Sequence, residues 1–389
     1  GGGNMKGTFL FEYVNENDGF LSLLKKYIEW SSKMKIKRIS ALMPLMAVMI
    51  LSTGCSIIES DKSSVNESVE NSITEELAST VKNPLTGEPG YNEKAVGKRP
   101  AAVMINNIKA SLPQYGIDSA DIIYELPVEG GITRLMGIYA DYTNIPYICS
   151  VRSCRYYYPI IAYGMDAFYC HWGMDKTIAL DTLNRLEIDR FDGNDSSLGA
   201  GTVFVRDAER EETYASEHTG ALDGSELESA VSEMGYRTEI NEINKNGAFI
   251  FNSPDSPVVP EGSVCMKAEL TFSPEYFSTF IYDSEKEAYF KFHSGTEHCD
   301  GKSGKQLAFK NVFALETEMS IRNSKKLLDI DLSGGDGYYI SMGRAVPIRW
   351  SKESDENPIR FFDKNGNEIT VNAGKSYIGF IESGEINLE

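Results

Sequence analysis

Two arginines flank a serine and a cysteine in "VRSCR" (151–155), and a histidine follows at position 171. Guanidinium groups present forked donors that match carboxylate and phosphate, and a neighbouring hydroxyl adds a further donor. An imidazole, with its ordinary pKa near neutrality, suits proton transfer. Arg152, Ser153, Arg155 and His171 therefore have the composition of an anion site with an acid/base attached. They lie in "ICSVRSCRYYYPIIAYGMDAFYCHWG" (148–173), which also holds five tyrosines and three cysteines, in a chain of net charge −19. An anion site in such a chain must be built locally against the field of the whole protein.

"IPYICSV" (145–151) and "DAFYCHWG" (166–173) read as strands, and "CRYYYPIIAYGM" (154–165) as a short helix that Pro159 kinks or limits. If the two strands are parallel, their C-terminal ends share the sheet edge where open α/β sheets bind ligands. Arg152 and Ser153 then sit at a helix N-terminus, whose free N–H groups favour an anion, and His171 ends the second strand. Asn106 and Asn107 end the apolar strand "PAAVMINN" (100–107) and are expected to join that edge. Glu129 and Arg134 flank the glycine turn of a hairpin, "ADIIYELP" to "ITRLMGIYAD", and His218 lies in the loop "EHTGALDG". The expected binding set is Arg152, Ser153, Arg155, Arg134, Asn106, Asn107 and His218, with His171 or Glu129 for acid/base work. Cys154, at the helix start between two arginines, is expected to have a lowered thiol pKa. The opposing reading makes Tyr156 to Tyr158 core, pairs the arginines with structural acids such as Asp121, and leaves His171 a satisfied histidine.

Elsewhere, "KTIALDTLNRL" (176–186) and "SELESAVSEMGY" (225–236) have apolar residues at helical spacing, and "GTVFVRD" (201–207) reads as a strand. The proline-rich "NSPDSPVVPEGS" (252–263) is the best internal boundary. Beyond it nearly everything is strand and hairpin, with tips at "DGKSGK" and "DKNGNE". The expected fold is α+β or an α/β layered sandwich: a mixed sheet with covering helices in an N-terminal domain (83–255), and a mostly-β C-terminal domain (256–389). Walker, HExxH and G-x-S-x-G motifs are absent. "HSGTEHC" (293–299) supplies at most three metal ligands and reads as exposed loop, so neither metal nor cofactor is expected. The five cysteines after Cys55 have no regular spacing and read as small buried hydrophobes.

The N-terminal third is different. "MKIKRISALMPLMAVMILSTGC" (34–55) has a basic start, a short apolar run from Ile39 to Leu51, and small residues before Cys55. That is a secretory signal rather than a spanning helix. Its end is that of a lipoprotein signal, with Cys55 acylated by palmitate-type chains, although Ser52 stands where such signals usually have Leu. Residues 1–33 precede this complete signal, so Met34 is expected to be the first residue translated. Residues 55–82 are polar, acidic and without aromatics, a flexible tether reaching about 30 Å as a coil. Residues 1–54 carry seven bases and four acids, so the chain from Cys55 onward is at −22. Such a charge disfavours nucleic acid and anionic lipid headgroups as partners.

The segments "NPLTGEP", "RPAAVMINN", "LPQYGIDSADIIYELPVEGGITRLMGIY", "SVRSCRYYYPIIA", "DAFYCHWG", "KNVFALE" and "RWSKESDENPIRFFDKNGNEITVNAGKSYIGFI" resemble the YerB-like lipoproteins of Gram-positive bacteria. The resemblance runs from about Asn83 to Ile381. It implies an exported, lipid-anchored protein with an N-terminal and a C-terminal part in an α/β layered fold, and no established activity. Glu129, Gly130, Gly131, Arg134, Arg152, Ser153, Arg155 and His171 match the family pattern. At 154 the family commonly has Ala, which tells against a cysteine nucleophile. Three functions stay open: binding of an anionic cell-wall or peptide ligand; a wall-acting hydrolase or transferase using His171 or Glu129; and a scaffold for another envelope protein. The expected location is the outer face of the cytoplasmic membrane, through lipid on Cys55.

Overall fold

The computed structural model describes residues 81–322 and 327–389. The signal segment, Cys55 and all of the tether but Val81 and Lys82 lie outside the described residues. "AAVMIN" forms β1 (Ala101–Asn106), which is buried along its whole length. Ala102 and Met104 enter one core, and Val103 and Ile105 the other. A strand covered on both faces has no polar side to alternate with, which is why it reads as a continuous apolar run. It lies between β3 (Ile132–Tyr139), antiparallel, and β5 (Phe168–His171), parallel. The expected hairpin joins β2 (Ile122–Val128) to β3 through Glu129, Gly130 and Gly131. Both glycines have positive φ (82° and 70°), a conformation side chains resist.

These strands belong to an eleven-stranded mixed sheet. Its order is Ser263–Val264, Arg344–Ser351, Gly334–Ser341, Asn311–Glu316, Ser376–Ile381, β2, β3, β1, β5 and β6 (Arg190–Asp192), with Arg360–Phe362 beside Arg344–Ser351. The parallel pairing of β2 with Ser376–Ile381, from Ile122 opposite Ser376 to Glu125 opposite Gly379, joins strands from both halves of the sequence. The described residues belong to one compact unit. The proline-rich boundary segment is tied to the second half where Asn372 Oδ1 accepts from the Val258 N–H (2.7 Å) and Asn372 Nδ2 donates to the Val258 carbonyl (2.8 Å).

One face of the large sheet packs the helices α1 (Tyr157–Tyr163) and α2 (Ile178–Leu186). There Tyr157, Tyr158 and Leu183 share a core with Tyr124, Met136, Phe313 and Trp350. Pro159 falls in the first turn of α1, where its missing N–H has no intrahelical partner anyway, so it does not kink the helix. The other face packs a six-stranded sheet built from Lys267–Ser273, Tyr276–Asp283, Ala288–His293 and three short strands. There Leu270, Phe280 and Tyr289 meet Ile123, Leu135, Val312 and Tyr377. Among the described residues no helix is long and apolar enough to cross a membrane.

The topology expected around the arginines is corrected. Only Ile148–Cys149 (β4) of "PYICSV" is strand, and it pairs not with β5 but with β8 (Gly220–Leu222), which also pairs β7 (Phe204–Arg206). The chain then runs past the end of β1: the Arg152 N–H donates to the Met104 carbonyl and the Cys154 N–H to the Gly173 carbonyl (3.0 Å each). Residues 152–156 are therefore irregular and α1 begins at Tyr157. Ser153 is not at a helix N-terminus, and no free helical N–H groups stand beside Arg152.

Candidate functional site

Arg152 and Ser153 line a cleft of about 300 Å³ with Val151, Trp172, Gly173, Met174, Asn194, Arg206 and Glu217. Arg206 closes β7, and its guanidinium lies over the Trp172 ring, 4.3 Å from the centroid. Trp172 Nε1 donates to Asn194 Oδ1 (2.9 Å), which fixes the indole. Both arginines also dock on one turn, Ser216–His218: Arg152 Nη1 donates to the Glu217 carbonyl (3.1 Å) and Arg206 Nη1 to the Ser216 carbonyl. The Glu217 carboxylate lies 3.6 Å from Arg152 Nη2. The cleft thus holds two cations on a shared support, a hydroxyl and one carboxylate, and can grip a small charged group by charge-assisted hydrogen bonds.

The other expected residues are not gathered here. Arg134 is buried and donates to the Ser153 carbonyl (2.6 Å), so it props up the loop from behind. Burial lowers its pKa to about 10, with Arg155 and Arg152 acting in the same direction, which leaves it a cation at neutral pH. Arg155 Nε donates to Glu129 Oε2 (2.7 Å), and Glu129 Oε1 accepts from the Leu328 N–H (3.3 Å). That pair clamps the hairpin tip and leaves Glu129 outside the cleft. His171 is fully buried: Nδ1–H donates to the Gly173 carbonyl (3.0 Å), while Nε2 has no partner. Burial holds its pKa down at about 4, a loss that Asp192, 3.9 Å away, only partly restores. His171 is therefore neutral at pH 7 and does not line the cleft. Tyr157 and Tyr158 are core residues whose hydroxyls donate to the Pro127 and Leu126 carbonyls.

Asn106 and Asn107 are buried as well, and diverge. Asn106 Nδ2 lies 3.0 Å from His218 Nδ1, and His218 stands behind Glu217 with Nε2 3.5 Å from its carboxylate. Asn107 points the other way and donates to Glu125 Oε1 (3.0 Å) and Thr133 Oγ1 (2.7 Å). It opens onto a polar network that the sequence reading missed. Glu125 Oε2 accepts from Ser278 Oγ (2.8 Å) and Tyr377 OH (2.7 Å) and lies 3.5 Å from Lys291 Nζ. Lys291 Nζ in turn donates to His298 Nδ1 (3.0 Å), and His298 Nε2–H to Gln114 Oε1 (2.9 Å). His293 and His298, expected in an exposed loop, are both buried. Among the described residues, no three His, Cys, Asp or Glu side chains are grouped so as to hold a metal ion.

Two larger grooves, of about 620 and 640 Å³, have predominantly acidic charged walls, with Glu88, Asp121 and Asp141 in one and Glu318, Asp329, Asp331, Glu353 and Asp355 in the other. In the second, Lys352 Nζ is fully engaged by the carbonyls of Ser354, Asp355 and Asn357. Neither suits an anion.

Cys154 is corrected in the opposite direction from the expectation. It is buried, and burial raises its thiol to about 12, which the arginines only partly offset. Burial likewise raises Cys149 to about 12, Cys265 to about 11, and Cys170 further. Only Cys299, of the five described cysteines, is partly exposed. With Cys55 replaced by Ser and a thiol-specific chromogenic disulfide at pH 8, one thiol per folded chain is expected to react, and the other four only on unfolding. Fast labelling of Cys154 in the folded protein would contradict its burial.

A family model described as "Protein of unknown function (DUF3048) N-terminal domain" matches residues 85–237, and its C-terminal counterpart matches residues 268–378. The chain is 26% identical to "Putative lipoprotein YerB" of Bacillus subtilis (strain 168) over 316 residues, 79% of this chain and 88% of the relative. The crystal structure of YerB protein from Bacillus subtilis superposes with a TM-score of 0.69 at 24% identity, covering 80% of this chain and 100% of that one. It shares the mixed, strand-rich α/β fold. With both of its domain models and most of its folded length matched, the chain belongs to the DUF3048 family, of which the YerB lipoprotein is a relative.

Proposed function

We propose that this protein is a lipid-anchored binding protein of the cell envelope that holds an anionic group, carboxylate or phosphate, in the cleft of Arg152, Ser153 and Arg206. The carrying observation is the pair of guanidiniums docked on one turn around a cavity of small-ligand size. In a chain of net charge −19, two cations held together at one opening counter the general field locally. The signal-like segment ending at Cys55, the acidic tether and the name of the relative support export and anchoring at the outer face of the cytoplasmic membrane. Cell-wall fragments and acidic peptides are the anionic ligands of that location. Turnover by His171 or Glu129 has less support, because one is sealed in the core and the other is paired with Arg155. Among the described residues no particular surface favours the scaffold reading.

The test is a thermal-shift series with peptidoglycan fragments, glycerol-phosphate polymer, inorganic phosphate and short acidic peptides. At least one is expected to stabilise the wild type. Arg152→Ala is expected to weaken that binding by roughly 10- to 100-fold, the usual loss for a charge-assisted hydrogen bond. Arg152→Lys should retain part of it, as a cation without the fork. Equal shifts in wild type and Arg152→Ala, or none with any anion, would reject this reading.

A further inference from the structure

The cleft is not purely cationic, and the exception is built in. Glu217 belongs to the same turn whose carbonyls receive Arg152 and Arg206. Its carboxylate faces Arg152 Nη2 at 3.6 Å and His218 Nε2 at 3.5 Å. His218 is buried and fixed in turn. Asn106 Oδ1 accepts from the Ile108 N–H (3.4 Å), which orients Nδ2 as the donor to His218 Nδ1. The proton of the neutral imidazole is therefore on Nε2, aimed at Glu217. A buried asparagine thus selects the tautomer whose Nε2–H faces a carboxylate at the cleft wall.

A simple anion entering beside Arg152 meets that carboxylate as a like charge, or must pull Arg152 away from it. It must also approach against the field of the whole acidic chain. An added ammonium lowers the ligand's net negative charge and so weakens that repulsion. A ligand that carries both signs satisfies both walls, its anionic group on Arg152, Arg206 and Ser153 and its ammonium on Glu217. We infer that the cleft is selective for zwitterions, compounds with a phosphate or carboxylate and a primary ammonium a few ångströms apart, and that Glu217 is the residue that sets this preference. The inference rests on the anion-binding reading of the same cleft.

Isothermal titration of the purified protein at pH 7 with two matched pairs tests it: phosphate against phosphoethanolamine, and N-acetylalanine against alanine. The zwitterion of at least one pair is expected to bind at least tenfold more tightly than its anion, and the pair that shows this identifies the anionic group. In Glu217→Gln the preference is expected to fall below twofold or invert, because the neutral amide no longer repels the anion or attracts the ammonium. Arg152→Ala should weaken both members of the pair. If phosphate or N-acetylalanine binds wild type and Glu217→Gln as tightly as its zwitterion does, with loss only in Arg152→Ala, zwitterion selectivity is rejected and the anion cleft stands. If none of the four probes binds wild type, zwitterion selectivity is rejected, and the anion reading then stands or falls on the thermal-shift series with the larger anions.

Discussion

Replacing Lys291 by methionine is expected to destabilise the protein by about 3–5 kcal/mol, the cost of breaking a buried ion pair from one side. Lys291 and Glu125 are both fully enclosed between the large sheet and the six-stranded sheet, with Nζ 3.5 Å from Oε2. Burial alone would raise the Glu125 pKa, but Lys291, His293 and the hydroxyls of Tyr377 and Thr133 reverse this and hold it below the usual carboxylate range. Its charge is therefore a folded-state fact, and removing Lys291 leaves it with neutral donors only. Glu125→Leu should cost at least as much, since Asn107, Thr133, Ser278 and Tyr377 all lose their acceptor while the ammonium stays buried. The double replacement Glu125→Leu/Lys291→Met removes both charges at once and should cost clearly less than the two single losses added together. Urea unfolding of the four proteins measures this coupling. Single losses under about 1 kcal/mol, or strict additivity, would show that the pair does not work as a unit.

The second large effect is acid sensitivity. All four histidines of the chain are buried, and all have lowered pKa values. Burial is the main cause each time. It holds His171 and His293 at about 4 and His298 further down, with Lys291 adding to the effect on the last two. His218 is lowered as well. Each folded value lies below the unfolded value near 6.5, so the unfolded chain takes up protons that the folded chain refuses. Stability is therefore full above about pH 6.5 and is lost as pH falls from there toward the folded values. One such histidine contributes a slope of about 1.4 kcal/mol per pH unit, so three give about 4 once pH is below 6. Glu125, held low, adds a further loss below its own unfolded pKa. Asp121, raised by burial, acts the other way over the same range. Down to pH 5 the three histidines remove about 6 kcal/mol of a typical total of roughly 5–15 kcal/mol, so the urea midpoint should fall steeply between pH 6.5 and 5. Urea midpoints between pH 7.5 and 4.5 follow this directly, and His293→Gln should remove about a third of the slope. A midpoint unchanged from pH 7 to 5 would mean that the imidazoles are already charged in the folded protein.

Much of the architecture is written locally. The continuous apolar run of β1 announces a strand buried on both faces, and the two glycines after Glu129 announce the hairpin, because both patterns follow from backbone sterics and burial within a few residues. The helix α2 and the hairpin tips near Gly304 and Gly366 are legible for the same reason. The arginines of the site were legible by type alone. Which of them opens to solvent was not, because that depends on the chain leaving β4 for β8 rather than staying beside β5, a choice made by partners some seventy residues further on. Arg152 thereby meets Arg206 and Glu217, while Arg134 and Arg155 turn to the loop and hairpin.

The strand Ala288–His293 shows the limit most sharply. Its period-two pattern divides the residues into Phe290 and Phe292 on one face, and Tyr289, Lys291 and His293 on the other. Hydrophobicity would turn the phenylalanines inward. The structure buries the other face, because Glu125 on a distant strand supplies the charge that makes a buried lysine tolerable, with His298 and Gln114 completing the hydrogen bonds. The sequence alone determined the strand and its two faces. Which face is the inside was decided only by tertiary structure, since the energy of a buried charge depends on a partner that sequence neighbours cannot provide.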